Sequence, residues 1–372
     1  MQYRQYGKGG PEISRLGFGA MRLPQRKKND WGAVNFTRSV ELLRAAMNAG
    51  VNFLDTHHGY HYGNSEKAIG RALAGWRGPR PVIQTKTPFY RNEPQRFFKQ
   101  LIEEALEKLG VDCIDYLLFH SMRMDAFKKR GRKFFALTDW AIRKGYVRHR
   151  GFSSHDSPEH VREFIDTGEF AAVVLSYNWL DPRHRETIAY AAKRGMGVAI
   201  MNPIGGGHLL TDSPSVRRLL PGAKTAAEVA LRYVLDTPGV AVAMSGMNAL
   251  DQIAENVRIA SRKKPMTAKQ RAAMKKRLAA MKKSSMAICT ACGYCMPCPH
   301  GVDIPANFLA LSRVRLFGLT DYAKLGFRRL RRRKDGDASA FACRRCGACL
   351  PKCPNDIPII EQLAATAELL GS

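Results

Sequence analysis

The sequence predicts an α/β fold: a parallel (β/α)8 TIM barrel followed by a small α-helical domain organised around two cysteine runs. Two observations carry this reading. From the start to about residue 262, eight short apolar, β-rich segments alternate with amphipathic stretches of helical period, the pattern of a parallel barrel. Beyond that point, eight of the nine cysteines fall in the last 84 residues as two runs of four, with 44 residues of helical pattern between them. The 372 residues divide accordingly into a barrel at 1–264, a basic connecting helix at 265–284 and a cysteine-bearing domain at 285–372.

The chain opens with Met1–Arg15, where Gly7, Gly9, Gly10 and Pro11 read as the turn of a hairpin plugging the bottom of the barrel. Candidate barrel strands follow at Leu16–Met21, Val51–Thr56, Pro81–Lys86, Tyr116–His120, Arg150–Ser153, Ala172–Asn178, Gly197–Asn202 and Val240–Ser245. Helical stretches between them include Ser39–Ala49, Pro94–Leu109, Pro158–Thr167, His184–Arg194, Thr225–Asp236 and Asn248–Ala260. Pro265 breaks the pattern. Thr267–Lys283 then reads as a basic helix packed by Met274, Leu278 and Met281 on one face. Between the cysteine runs, helices are expected around Ala306–Phe317 and Asp321–Arg333. The second is basic and amphipathic (Leu316, Leu319, Tyr322, Leu325, Leu330), so its apolar face covers the cysteine runs or meets a membrane surface.

The runs are Cys289-x2-Cys292-x2-Cys295-x2-Cys298-Pro299 and Cys343-x2-Cys346-x2-Cys349-x3-Cys353-Pro354. Three thiolates at a spacing of three wrap one corner of a cubane, and in two-cluster ferredoxins the cysteine before proline ligates the other cluster. The expectation is two [4Fe–4S] clusters, one on Cys289, Cys292, Cys295 and Cys353, the other on Cys343, Cys346, Cys349 and Cys298. Zinc sites rarely fill a three-residue ladder ending in Cys-Pro. A disulfide framework suits small secreted domains, and no secretory signal is visible at the start. The first run departs from the bacterial spacing, with two residues rather than three before its last cysteine. Cys113 reads as a small buried hydrophobe.

No apolar run approaches the ~20 residues of a membrane span, and reduced thiols point to the cytoplasm. The net charge is +28, from 60 Lys and Arg against 32 Asp and Glu. Basic runs at Arg26–Lys28, Lys128–Lys133, Arg143–Arg150, Arg262–Lys264, Lys269–Lys283 and Arg328–Lys334 are scattered. They read as a solvated surface or as docking for an acidic redox partner such as a ferredoxin. No nucleic-acid motif accompanies them.

Barrel enzymes act at the C-terminal ends of their strands. Asp55 ends the second expected strand with Tyr60 in its loop, Lys86 ends the third and His120 the fourth. Each alone has a structural explanation; together they converge. A lysine ammonium beside a tyrosine favours the phenolate and lowers its pKa, an aspartate holds that lysine charged, and a histidine orients a substrate oxygen. The product is a general acid that protonates a carbonyl oxygen as hydride reaches carbon.

Gly50-Val51-Asn52-Phe53-Leu54-Asp55-Thr56, Tyr60 and Gly63-Asn64-Ser65-Glu66 resemble the signature of aldo/keto reductases, (β/α)8 barrels that use a nicotinamide dinucleotide. Tyr3–Gly7, Ser14–Gly19, Gly151–His155 and Asn202–Gly207 are similar as well. The resemblance covers residues 1 to about 262. With the cysteine tail, the whole chain resembles the branch of that family fused to a dicluster ferredoxin domain. It implies catalytic Asp55, Tyr60, Lys86 and His120, with Tyr62 as a competitor for the tyrosine role. It also implies nucleotide contacts from Ser153, Ser154, Asn178, Gly205, Gly206 and the adenine-holding pair Glu255 and Asn256, with a small carbonyl or alcohol as substrate.

The chain departs from the family's pattern at the nucleotide. Val174 stands where a glutamine usually holds the carboxamide, Met201 replaces the stacking aromatic, and Ser245–Gln252 contains no basic residue for an NADP 2′-phosphate. NAD is preferred over NADP on that reading, or NAD(P)H binds loosely, or the barrel uses none. His57, His58 and His61 crowd a loop where the family has small or varied residues; they line the substrate pocket, donate protons or bind a metal. Two functions stand: an iron–sulfur oxidoreductase on a carbonyl/alcohol pair, or an electron-transfer or assembly module whose barrel has lost nicotinamide-dependent catalysis.

Overall fold

The computed structural model describes residues 1–26, 32–207, 209–210, 214–286, 295–353 and 357–372. It forms two compact units, one of residues 1–206 and 230–265, the other of 207–229 and 266–372. Among the described residues no helix is long and apolar enough to cross a membrane.

The first unit opens with an antiparallel hairpin, β1 (Tyr3–Gln5) and β2 (Glu12–Ser14), as the glycine-rich turn implies. Eight strands follow: β3 (Leu16–Gly19), β4 (Phe53–Asp55), β5 (Val82–Thr87), β6 (Ile114–Phe119), β7 (Val147–Ser154), β8 (Ala172–Ser176), β9 (Gly197–Met201) and β10 (Val242–Ser245). They pair in parallel and close, β10 bonding both β9 and β3. The expected (β/α)8 barrel is therefore the observed one. Along the chain lie α1 (Phe36–Asn48), α2 (Asn64–Leu73), α3 (Gln95–Leu109), α4 (Met124–Arg143), α5 (Pro158–Asp166), α6 (Arg185–Lys193), α7 (Pro214–Arg217), α8 (Ala226–Leu235) and α9 (Leu250–Ala260). Helix α4 falls across a segment that reads chiefly as a run of cations. Its buried stripe of Phe134, Leu137 and Ala141 is spaced for one helix face, with Lys128, Lys129 and Arg132 off it.

Strand side chains alternate between faces, so Phe53, Val82, Leu118, Val174 and Val242 fill the barrel interior. Tyr6, just beyond β1, joins that core at 1% exposure. Its ring fits because residue 197 is glycine: a Cβ there would stand 2.7 Å from the Tyr6 ring. The hairpin thus closes one end of the barrel with an aromatic plug and leaves the other to the strand C-termini.

The second unit contains α7, then α10 (Ala268–Met286), α11 (Ile304–Phe317), α12 (Thr320–Arg331) and α13 (Ile359–Leu370). Helix α11 starts where the Asp303 side chain accepts the Ala306 N–H and ends at left-handed Gly318. Phe308, Phe327, Ile359, Leu363 and Leu370 form its core. The buried face of α12 is Ala323, Phe327 and Leu330, so the stripe runs through Phe327 rather than Leu325, and it is turned into the unit's interior. In α10, Met274 and Leu278 are buried as expected, while the Met281 side chain lies outside the described residues.

Candidate active site and cluster-binding cysteines

The two-residue period of strands sets Asp55 above Phe53 on β4 and Lys86 above Gln84 on β5, all facing inward near the strand C-termini. Lys86 Nζ donates to both Asp55 oxygens at 2.7 and 2.8 Å and to the Thr56 carbonyl at 2.7 Å. Gln84 Nε2 donates to Asp55 Oδ1 at 2.7 Å, and Gln84 Oε1 accepts from the Tyr6 hydroxyl at 3.1 Å. A hydrogen-bonded column therefore runs along the barrel from the plug to the ammonium. Gln84 and Tyr6 were not candidate site residues from sequence; for Gln84 the spacing of two from Lys86 was the available signal.

Tyr60 opens a 3-10 turn, Tyr60–Gly63, directly after β4. Lys86 Nζ lies 5.1 Å from its ring centroid, close enough for the ammonium and the phenol to act on each other's pKa. His57 and His120 complete the group, their ring centroids 5.1 and 6.4 Å from that of Tyr60. Tyr62 is 78% exposed and turned away. His61, Tyr62 and Gly63 all take left-handed backbone, a costly run for two non-glycine residues. The His61 ring holds it in place through a contact of 3.1 Å between Nε2 and the Met21 carbonyl.

Burial would lower the Lys86 pKa, but Asp55 and Tyr60 together outweigh it and raise it above the usual lysine value, so the ammonium stays charged. The expectation that Lys86 brings Tyr60 down is reversed in the net. Burial raises the phenol and Asp55 adds to it, while Lys86 only partly opposes them. The group is thus a neutral phenol against a fixed cation. Burial pushes His120 down to about 3, helped by Lys86 and His58, and pushes His58 down to about 4; His57 is also lowered, by burial and then by His120. Near neutrality all three imidazoles are uncharged.

Ser153 is the penultimate residue of β7, and its hydroxyl oxygen accepts the Ser121 N–H at 3.0 Å, which leaves its own O–H to give. Ser154 is spent locally, donating to the Met122 carbonyl and accepting from Asp156 N. Asn178 Oδ1 accepts from Leu180 and Asp181 N–H, and Nδ2 donates to the Asn202 carbonyl, leaving one N–H. These residues suit the carbonyl end of a carboxamide. Val174 lies in the apolar interior with Met201 against it, so neither position offers a polar partner for the amide end, and Ser176 at the end of β8 accepts from Asn202 Nδ2 at 3.4 Å. Gly205 and Gly206 form a 3-10 turn after β9. On α9, Asn256 turns inward to Ser245 Oγ at 3.2 Å, and Glu255 is half-exposed. The Ser245–Gln252 segment has no cation of its own, yet the structure brings one: a Cβ on Gly246 would meet the Arg22 stem at 3.2 Å. Sequence reading missed Arg22 because it is distant in the chain.

In the second unit, Cys298, Cys343, Cys346 and Cys349 line one recess, walled by Val302, Ile304 and Leu363. Cys295 is buried in the apolar cluster, with Cys298, Cys343, Cys349 and Cys353 packed against it. Among the described residues no three donors converge on one point as a single ion requires. A cubane gives each iron its own thiolate, so four sulfurs around one recess fit a cluster. Buried Asn307 braces the second run, donating to the Asp303 and Ala338 carbonyls and accepting from Ala340 N. Cys289 and Cys292 lie outside the described residues.

Residues 15–219, more than half of the chain, match the aldo/keto reductase family, and residues 288–357 match the 4Fe-4S dicluster domain. The NADH-specific methylglyoxal reductase of Escherichia coli is 24% identical over 295 residues, covering 66% of this chain and 89% of that protein. L-galactose dehydrogenase of Arabidopsis thaliana is 26% identical over 285 residues, covering 69% and 87%. Among solved structures, the holo form of aldo-keto reductase AKR11C1 from Bacillus halodurans superposes with a TM-score of 0.65 at 25% identity, over 74% of this chain and 96% of that one.

Proposed function

The chain belongs to the aldo/keto reductase family, and on that premise we propose a cytoplasmic enzyme that reduces a small carbonyl at the barrel mouth and exchanges electrons through two [4Fe–4S] clusters. The family makes it an oxidoreductase of carbonyl or alcohol groups, its members use NAD(P)H, and the chain carries a 4Fe-4S dicluster domain. One observation carries the assignment of chemistry: a buried ammonium held by Asp55 and the Thr56 carbonyl stands against the Tyr60 phenol. Tyr60 gives its proton to the substrate oxygen, Lys86 stabilises the phenolate left behind, and Asp55 with Gln84 fixes the lysine. His120 donates a second hydrogen bond to the same oxygen.

A nicotinamide, when bound, supplies the hydride. Ser153 and Asn178 would hold its carboxamide, with Ser154, Gly205, Gly206, Glu255 and Asn256 around the rest of the nucleotide. NADH is favoured, from the missing cation in Ser245–Gln252 and the likeness to an NADH-specific relative. Arg22 is the residue that would admit NADPH.

The clusters would sit on Cys289, Cys292, Cys295 and Cys353, and on Cys343, Cys346, Cys349 and Cys298, and supply one-electron transfer. Arg344 and Arg345, directly before exposed Cys346 in the chain, are exposed, as is Lys352, which suits an acidic carrier protein such as a ferredoxin. Hydride moves two electrons together and a cluster moves one, so the two activities are assigned to the two units separately.

The apolar layer of Val174 and Met201 favours the second reading, an electron-transfer or assembly module without nicotinamide catalysis. Oxygen-free titration with NADH and NADPH separates the two. The enzyme reading expects quenching of nucleotide fluorescence and carbonyl-dependent NADH oxidation. Absence of both, with clusters reducible only by dithionite, supports the module.

A further inference from the structure

The amide of Gln84 can be oriented from its neighbours, and its orientation reaches the Lys86 ammonium. Gln84 is fully buried. Its Nε2 donates to Asp55 Oδ1 at 2.7 Å and to the Met244 sulfur at 3.7 Å. A flipped amide would set its oxygen against that carboxylate and that sulfur, neither of which has a proton to give, so the oxygen faces Tyr6. The Tyr6 hydroxyl, 3.1 Å away, is therefore the donor. Burial raises the Tyr6 phenol well above the usual tyrosine value, with Tyr116 and then Asp55 adding to it, so that proton stays in place. The donors run one way, from the hairpin plug through Gln84 to Asp55, where the Lys86 ammonium meets them from the other side.

We propose that Tyr6 is a positioning residue for Lys86: its hydroxyl fixes the Gln84 amide, which fixes the Asp55 carboxylate that aims the ammonium at Tyr60. The terminal torsions of Asp and Gln are broad, so hydrogen bonds rather than rotamer wells must hold these groups. Asp55 Oδ1 carries two donors, Gln84 and Lys86, while Oδ2 carries Lys86. Without Gln84 the carboxylate can turn, and the ammonium then keeps the Thr56 carbonyl as its fixed acceptor. Without the Tyr6 hydroxyl the Gln84 oxygen becomes a buried acceptor short of a donor, and the amide is no longer held. The rest of Tyr6 is an apolar plug. Its ring meets those of Phe53 and Tyr116 edge-on at 5.1 and 4.8 Å, contacts that phenylalanine would make equally. The role in turnover rests on the carbonyl-reductase reading; the hold on Lys86 does not.

The test compares Tyr6→Phe, Gln84→Met and the double variant in the full chain with its clusters oxidised. One readout is kcat and KM for carbonyl reduction. The other is the side-chain ammonium signal of Lys86 in protein labelled with 15N-lysine, assigned by its loss in Lys86→Arg. The wild type should show a protected ammonium, and exchange of its protons with water should rise at least about tenfold in both single variants. Turnover should fall about threefold in Tyr6→Phe and about tenfold in Gln84→Met, with KM nearly unchanged. Because Tyr6 reaches the ammonium through Gln84, the double variant should match Gln84→Met alone rather than multiply the two losses. Wild-type kcat and Lys86 exchange in Tyr6→Phe, or losses that multiply in the double variant, would overturn the proposal. Should Tyr6→Phe fold poorly, wild-type Lys86 exchange in Gln84→Met overturns it equally. If the wild type reduces no carbonyl, the functional reading falls and the exchange measurement still decides this one.

Discussion

The barrel mouth and the second cysteine run hold their reactive groups in opposite ways. At the mouth, the Lys86 and Asp55 side chains are 3% and 7% exposed, and Gln84, Thr56 and Tyr6 brace them. At the run, Cys346 is exposed, as are Arg344 and Arg345 directly before it, and Arg345 itself takes left-handed backbone. Proton transfer needs heavy atoms fixed at hydrogen-bond distance in a dry site, where a charge keeps its strength. An electron passes between centres without such contact, so an open edge brings the donor nearer and costs the chemistry little.

Breaking the buried side has the largest expected effect. Tyr60→Phe should lower kcat for carbonyl reduction by about 10²–10⁴-fold, whereas exposed Tyr62→Phe should stay within about twofold. Steady-state kinetics of both variants check this, and equal losses would show that the mouth is not organised around Tyr60. Because burial raises the Tyr60 pKa, the acid form is complete below the usual tyrosine range, and wild-type reduction should not decline until pH passes above it.

On the open side, the crossed ligand set makes a sharper claim than iron content alone. Cys298→Ser should disturb the cluster of the second run and Cys353→Ser that of the first, each leaving the other intact by EPR. Cys298→Ser disturbing the cluster that Cys292→Ser disturbs, rather than the one that Cys346→Ser disturbs, would rule out crossing. Arg344→Glu with Arg345→Glu should slow reduction by an acidic carrier about tenfold at low salt and much less near ~0.5 M, where screening is strong. A salt-independent rate would move the docking surface elsewhere.

The smallest expected effect concerns stability beneath the mouth. Glu66 is buried, accepts from Thr85 Oγ1 at 2.8 Å and leaves Oε2 without a partner, and burial pushes its pKa from 4.5 up to about 7. The folded state then keeps a proton that the unfolded chain loses, so stability falls as pH rises from 4.5 to about 7. The whole drop is on the order of 3 kcal/mol. Glu66→Gln should flatten that slope in urea titrations at pH 5 and pH 8; an unchanged slope would locate it in another group.

Much of this was legible in advance. Asp55, Lys86 and His120 could be placed because each ends an apolar strand, and strand period alone assigns the inward face. Gln84 and Tyr6 went unrecognised because their roles depend on which strand and which hairpin meet across the barrel axis. Arg22 was missed for the same reason, since a segment with no cation acquires one from a turn more than two hundred positions earlier. The histidines of the mouth loop were visible as a crowd, but not as rings packed against one another and against His120.

By itself the sequence determined the order of strands and helices, the two cysteine ladders and the residues at the strand ends. These are local facts, encoded in period and spacing along one element. Tertiary structure decided that burial outweighs Lys86 at Tyr60, that Arg22 comes against Gly246, and that His57 lies against His120. Each depends on distances and solvent exclusion between elements far apart in the chain, which barrel closure and helix packing create.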